Sequence, residues 1–209
     1  MSAGARWVRR RAAVLVALVA VCVGLTACST TETPSQSTVA IVGDATSTST
    51  AGPAWPQILQ ADEGVRSTVD AVAGSGYLTA SPHAVSDRVE KLSAATIVIA
   101  LGASDVSQAS SDETLSAAVT QAVGAASATG ARVIVLSPLI PGGGGRQADV
   151  ISLAARAAGA EYVDVALPPD PSFAGADGAL SMAGNQFVAA ALAPVFGATV
   201  GDQSSSESL

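Results

Sequence analysis

Apolar positions along the chain fall into two rhythms. Short continuous runs at Thr38 to Val42, Thr96 to Leu101, Val133 to Leu136 and Tyr162 to Val165 have the unbroken character of strands covered on both sides. Thr68 to Ala73 alternates, reads as a further strand, and runs into Gly74-Ser75-Gly76. Between these runs the spacing changes to that of helices. Pro56 to Ala61 opens on a proline tolerated in a first turn. Pro82 to Leu92 places Val85, Val89 and Leu92 on one side. Ser110 and Glu113 have the spacing of a capping box, after which Leu115, Val119, Ala122, Val123 and Ala126 form one apolar face ending near Gly130. Gln147 to Ala158 and Met182 to Leu192 complete the helices. Strands alternating with amphipathic helices predict an α/β domain with about five parallel strands and helices on both faces. Ligands of such sheets bind at the carboxyl ends of the strands, so chemistry is expected just after each strand.

The N-terminus follows a different logic. Arg6, Arg9, Arg10 and Arg11 precede an apolar run from Ala12 to Gly24, and then Leu25-Thr26-Ala27-Cys28. A basic start, a short apolar stretch and small residues before a cut define a secretory signal. The run is shorter than the ~20 residues of a spanning helix. Leu-Thr-Ala-Cys resembles a bacterial lipobox, which implies cleavage before Cys28 and lipidation of Cys28. The expected organisation is a lipoprotein signal peptide over 1–27, a Ser/Thr/Pro-rich tether over 28–37, a folded domain over 38–200 and a polar, disordered tail over 201–209. The protein is then exported and lipid-anchored on the outer side of a bacterial cell membrane, with the membrane as its first partner.

Composition narrows the options. The chain has 209 residues and a formal charge of −7, which argues against a nucleic-acid partner. Hydrophobic residues make up 49% of it, too many for a disordered chain. Its two cysteines form no CxxC, and Cys22 leaves with the signal, so no disulfide is expected. A single histidine, His83, leaves little for a transition-metal site, and no cofactor is expected.

Four short blocks stand where strand ends are predicted. They are Gly43-Asp44-Ala45, Gly74-Ser75-Gly76-Tyr77, Gly102-Ala103-Ser104-Asp105 and Asp177-Gly178-Ala179-Leu180. Their order and spacing resemble the SGNH, or GDSL-type, hydrolases over about Thr38 to Ala193. Trp55-Pro56, Asp87-Arg88-Val89 and Pro138 add to the likeness. The resemblance implies a flavodoxin-like SGNH-hydrolase sandwich. It also implies ester hydrolysis by a serine nucleophile, a DxxH histidine base and an oxyanion hole built by the nucleophile N–H, a block-two glycine and an asparagine.

This chain departs from that pattern at the reacting atoms. Ala45 holds the nucleophile position, Ser104 the asparagine position, and Leu180 (or Ala179, with a shift of one) the base position, while Gly76 and Asp177 are retained. Acyl transfer needs a nucleophile with a base in hydrogen-bond reach, and both are missing together. Thr46, Ser47 and Ser49 could supply a displaced hydroxyl and His83 a displaced base, if a ~3 Å geometry brought them together. Asp177, with no histidine to orient, reads as a loop residue capping backbone N–H groups. Gly142 to Gly145 lacks the GK[ST] of a phosphate loop and reads as a crossover. Two functions follow from the residues. One is an inactive envelope lipoprotein that binds an ester- or glycan-like ligand, with Gly76 and Ser104 at the site, or serves as a scaffold. The other is an active esterase with an unconventional nucleophile.

Overall fold

Helices cover a five-stranded, all-parallel sheet on both faces in a computed structural model that describes residues 38–49, 51–108 and 110–201. The strands are β1 (Thr38–Gly43), β2 (Arg66–Ala71), β3 (Thr96–Ala100), β4 (Arg132–Leu136) and β5 (Glu161–Val163). Their order across the sheet is β2-β1-β3-β4-β5, the flavodoxin-like doubly wound order with its switch point between β1 and β3. The helices are α1 (Trp55–Glu63), α2 (Val85–Val89), α3 (Ala103–Val106), α4 (Asp112–Ala128), α5 (Gly145–Ala157) and α6 (Met182–Gly201). The expected signal, tether and tail and the expected lipidation site at Cys28 lie outside the described residues, save that the described part reaches Gly201.

Strand periodicity divides the core into two layers. Val42, Ile97, Ile99, Val133 and Val135 point to one face, where they meet Val85 and Val89 of α2, Leu115, Val119 and Val123 of α4, and Ile151 of α5. Val39, Ile41, Val98, Ile134 and Leu136 point to the other, against Trp55 and Leu59 of α1 and Val188, Leu192 and Phe196 of α6. Each aliphatic side chain removed from water here contributes about 1.5–3 kcal/mol.

The elements differ from the sequence reading at their ends. Strand β2 starts two residues early because Thr38 pairs with Arg66 and fixes the register. This edge strand carries Arg66 and Asp70, which blur its apolar signal. Helix α2 is cut to Val85–Val89, since a turn in which the His83 N–H bonds the Ala80 carbonyl precedes it and i−3 bonds from Lys91 and Leu92 tighten its exit. The cap of α4 is Ser111, not Ser110. Its hydroxyl accepts the Thr114 N–H at 3.2 Å, so the Ser110/Glu113 box does not form. All five predicted apolar positions of α4 are buried. Helix α6 runs past Leu192 and through Pro194 to Gly201.

Candidate functional site

The residues after β1, β2 and β3 and those before α6 gather at one end of the sheet. Past Gly43 the chain enters a 3-10 turn, Ala45–Ser47, capped by Asp44. The Asp44 carboxylate accepts the Thr46 N–H at 2.9 Å and its hydroxyl at 2.7 Å. Burial raises the Asp44 pKa above the ordinary aspartate value, and the two Thr46 donors only partly offset this. Ala45 is 9% exposed, so its methyl group forms the floor of the position.

Asp105 fixes the second block to the third. It is fully buried, and its two oxygens accept the Tyr77 N–H at 2.8 Å and the Leu78 N–H at 3.1 Å. Burial raises its pKa too, against the pull of those backbone donors. A side chain on Gly76 would come within 2.6 Å of the Asp105 carboxyl carbon, which only glycine avoids. The Gly76 N–H is already engaged. It donates to the Thr79 hydroxyl at 2.8 Å, which closes a small turn around the would-be oxyanion donor. Ser104 is half-buried in α3, and its carbonyl accepts the Ser107 hydroxyl at 2.8 Å and Gln108 Nε2 at 3.4 Å, while its own hydroxyl makes no hydrogen bond among the described residues.

Arg88 ties the floor together. The side chain is almost wholly buried. Its Nη2 donates to the Gly43 carbonyl at 2.8 Å and to the Asp70 carbonyl, Nη1 donates to the Ser75 hydroxyl at 3.1 Å, and Nε meets the Asp70 carboxylate at 3.1 Å. One guanidinium thus holds the end of β1, the end of β2 and the second block in fixed relation. Sequence reasoning used Arg88 only as a family match. The available signal was its place three residues after Val85, on the buried face of α2. Nothing in the sequence marked Thr79.

The fourth block forms a loop pinned at its base. Gly175 donates to the Ala179 carbonyl, Ser181 donates to the Phe173 carbonyl, and Ala174 pairs with Leu180. At its tip Asp177 is exposed, has φ 54°, and makes no hydrogen bond or ion pair among the described residues, so it does not cap the backbone. Gly178 lies close to Ala45, since a Cβ there would be 3.7 Å from the Ala45 methyl carbon. Leu180 and Ala179 are buried, with Leu180 in the apolar layer that holds Trp55 and Val188. Asn185 braces this region from α6. Its oxygen accepts the Trp55 N–H at 2.8 Å, and its amide nitrogen donates to the Leu180 and Ser181 carbonyls.

The displaced hydroxyls and histidine do not assemble into a site. Ser47 is 2% exposed and packs against Gly43 with its hydroxyl unpartnered. Thr46 is committed to Asp44, and Ser49 accepts the Ala51 N–H at 3.3 Å. His83 sits exposed in its turn and makes no side-chain hydrogen bond among the described residues. Two cavities are lined by residues other than those of the four blocks. One, of about 480 Å³, runs between α1 and α6. The other, of about 400 Å³, is bounded by Gly142–Gly145 and Val165–Pro169. The glycine loop is a held turn, with Gly142 bonded to the Leu167 carbonyl and Gly143 to the Ile140 carbonyl.

Sheet order, helix placement and the four clustered blocks define the fold of the G-D-S-L lipolytic hydrolases. A lipase/acylhydrolase from Enterococcus faecalis superposes with a TM-score of 0.63 at 16% identity, over 78% of this chain and 96% of that one. A member of the lipolytic G-D-S-L family from Veillonella parvula matches with a TM-score of 0.59 at 16% identity, over 76% and 97%. An acetyl esterase, crystallised as a serine-to-alanine mutant with acetate ion, matches with a TM-score of 0.61 at 16% identity, over 80% and 99%. No family model matches the chain, and no curated protein matches it in sequence.

Proposed function

We propose that the protein is a degenerate member of the SGNH hydrolases, anchored in a bacterial envelope through lipid on Cys28, that binds a ligand or serves as a scaffold without hydrolysing esters. The observation that carries this reading is Ala45 at the nucleophile position. A methyl group cannot attack a carbonyl, and in another triad enzyme loss of the serine costs roughly 10^6 in turnover. Three further features support it. The base position is an apolar Leu180 or Ala179, the Gly76 N–H is taken by Thr79, and no hydroxyl among the described residues meets His83. Binding is less demanding than catalysis, so the strand ends at Gly76 and Ser104 would hold an ester- or glycan-like group without transforming it.

The test is a serine-reactive phosphonate applied to the full chain, read by intact mass. The reading expects no adduct, and a stoichiometric adduct on any serine would overturn it. The anchor is tested separately. Cys28→Ala should abolish incorporation of labelled palmitate and leave the precursor uncut, whereas unchanged labelling would remove the lipoprotein assignment.

A further inference from the structure

The groove between α1 and α6 is lined by apolar groups along its length and by carboxylates at one end. Pro53, Ile58, Met182 and Ala190 lie along it with Gln186 among them, and Asp62 and Glu63 close it. Its acidic end lies at the pole of the sheet opposite Ala45. Glu63 ends α1 three residues before Arg66, and Arg66 pairs with Thr38, the first residue of β1. Helix α6 comes down to the same place, where a Cβ on Gly197 would lie 3.7 Å from a Glu63 carboxylate oxygen.

Electrostatics at this end are unbalanced. The C-terminal turn of a helix carries partial negative charge and favours cations. Here α1 puts Asp62 and Glu63 there with no basic residue in its last turn. Neither carboxylate forms an ion pair among the described residues. The end of α1 and two exposed carboxylates therefore face one open groove whose other walls are apolar apart from Gln186.

We propose that this groove receives a helix of a partner protein that begins with basic residues and continues as an apolar stripe. The arginines or lysines would sit over Asp62 and Glu63. The partner's positive helix N-terminus would then lie at the negative pole, so it would run antiparallel to both α1 and α6. Small groups at Ala190 and Ala193 allow its backbone to approach closely. The groove lies apart from the Ala45 site, and the proposal stands or falls independently of whether that site is inactive.

The probe is a labelled peptide of about 14 residues, roughly 21 Å long as a helix, with two arginines followed by an Ala/Leu amphipathic sequence. A second peptide of the same composition carries the arginines last, and both are capped at their termini. Binding to the full chain in detergent micelles is read by fluorescence anisotropy against empty micelles. The arginine-first peptide should bind saturably and more tightly than its counterpart. Asp62→Asn with Glu63→Gln should weaken it by about fivefold and remove most of its salt dependence. Ala190→Arg, at an exposed position, should abolish binding while leaving the thermal melt unchanged. Absence of saturable binding, or equal binding of both peptides to all variants, overturns the proposal. So does self-association that Ala190→Arg abolishes in sedimentation, since the groove would then belong to a second copy.

Discussion

The Asp105 carboxylate occupies the space into which a side chain at Gly76 would project. Two blocks separated by a whole helix and strand are thus keyed to one another. The glycine admits the carboxylate, and the carboxylate bonds the amides of Tyr77 and Leu78 that follow the glycine. Gly76→Ala should cost about 2 kcal/mol, an overpacking penalty in a site with no slack. Urea denaturation of Gly76→Ala, Asp105→Ala and the double variant checks this. The double should be less destabilised than the sum of the singles, because removing the carboxylate relieves the clash.

Arg88 should matter more than its lack of any catalytic task suggests. Arg88→Met would keep some of the packing but leave the Gly43 and Asp70 carbonyls and the Ser75 hydroxyl short of donors. The expected loss is about 3 kcal/mol, moderated because Asp70 is 36% exposed and can turn to water. Equilibrium unfolding by urea is the measurement. A loss below ~1 kcal/mol would show that water replaces the guanidinium.

Stability should respond to pH in a direction set by Asp44. Burial raises its folded-state pKa above the unfolded value near 3.8, so the folded state holds the proton more tightly. Its stabilising contribution is complete below pH 3.8 and is lost as pH rises through the raised value. Asp105 acts in the same sense. Asp44→Asn keeps an oxygen acceptor for Thr46 and removes the titration. Its melting temperature relative to wild type should therefore rise as pH increases upward from 3.8. A difference that is flat across the acid range would contradict the buried-carboxylate account.

Much of this was legible in the residues, and the failures have physical reasons. The apolar runs at Ile97–Leu101 and Val133–Leu136 identify parallel strands because buried strands need apolar groups on both faces. The α4 face was readable residue by residue because its contacts repeat with the helix period. Strand β2 was displaced in the reading because an edge strand is not required to be apolar. The four blocks were visible from their places after predicted strands and their resemblance to the SGNH pattern, and Gly43 and Gly76 leave room for the Ser47 and Asp105 side chains. How the fourth block would be set was not visible. The loop brings Gly178 near Ala45 and turns Leu180 into the core, where Asn185 and the Ala174 pairing hold its backbone. The engagement of the Gly76 N–H by Thr79 was equally invisible.

The central claim is that the scaffold of an ester hydrolase is present here without its reacting groups. Hydrolysis of a short-chain p-nitrophenyl ester by the purified full chain tests it most directly, with Ser47→Ala and His83→Ala prepared alongside. The account predicts that the wild-type rate equals the buffer blank and that neither substitution changes it. Turnover above the blank that either substitution abolishes would contradict the account and establish a relocated active site.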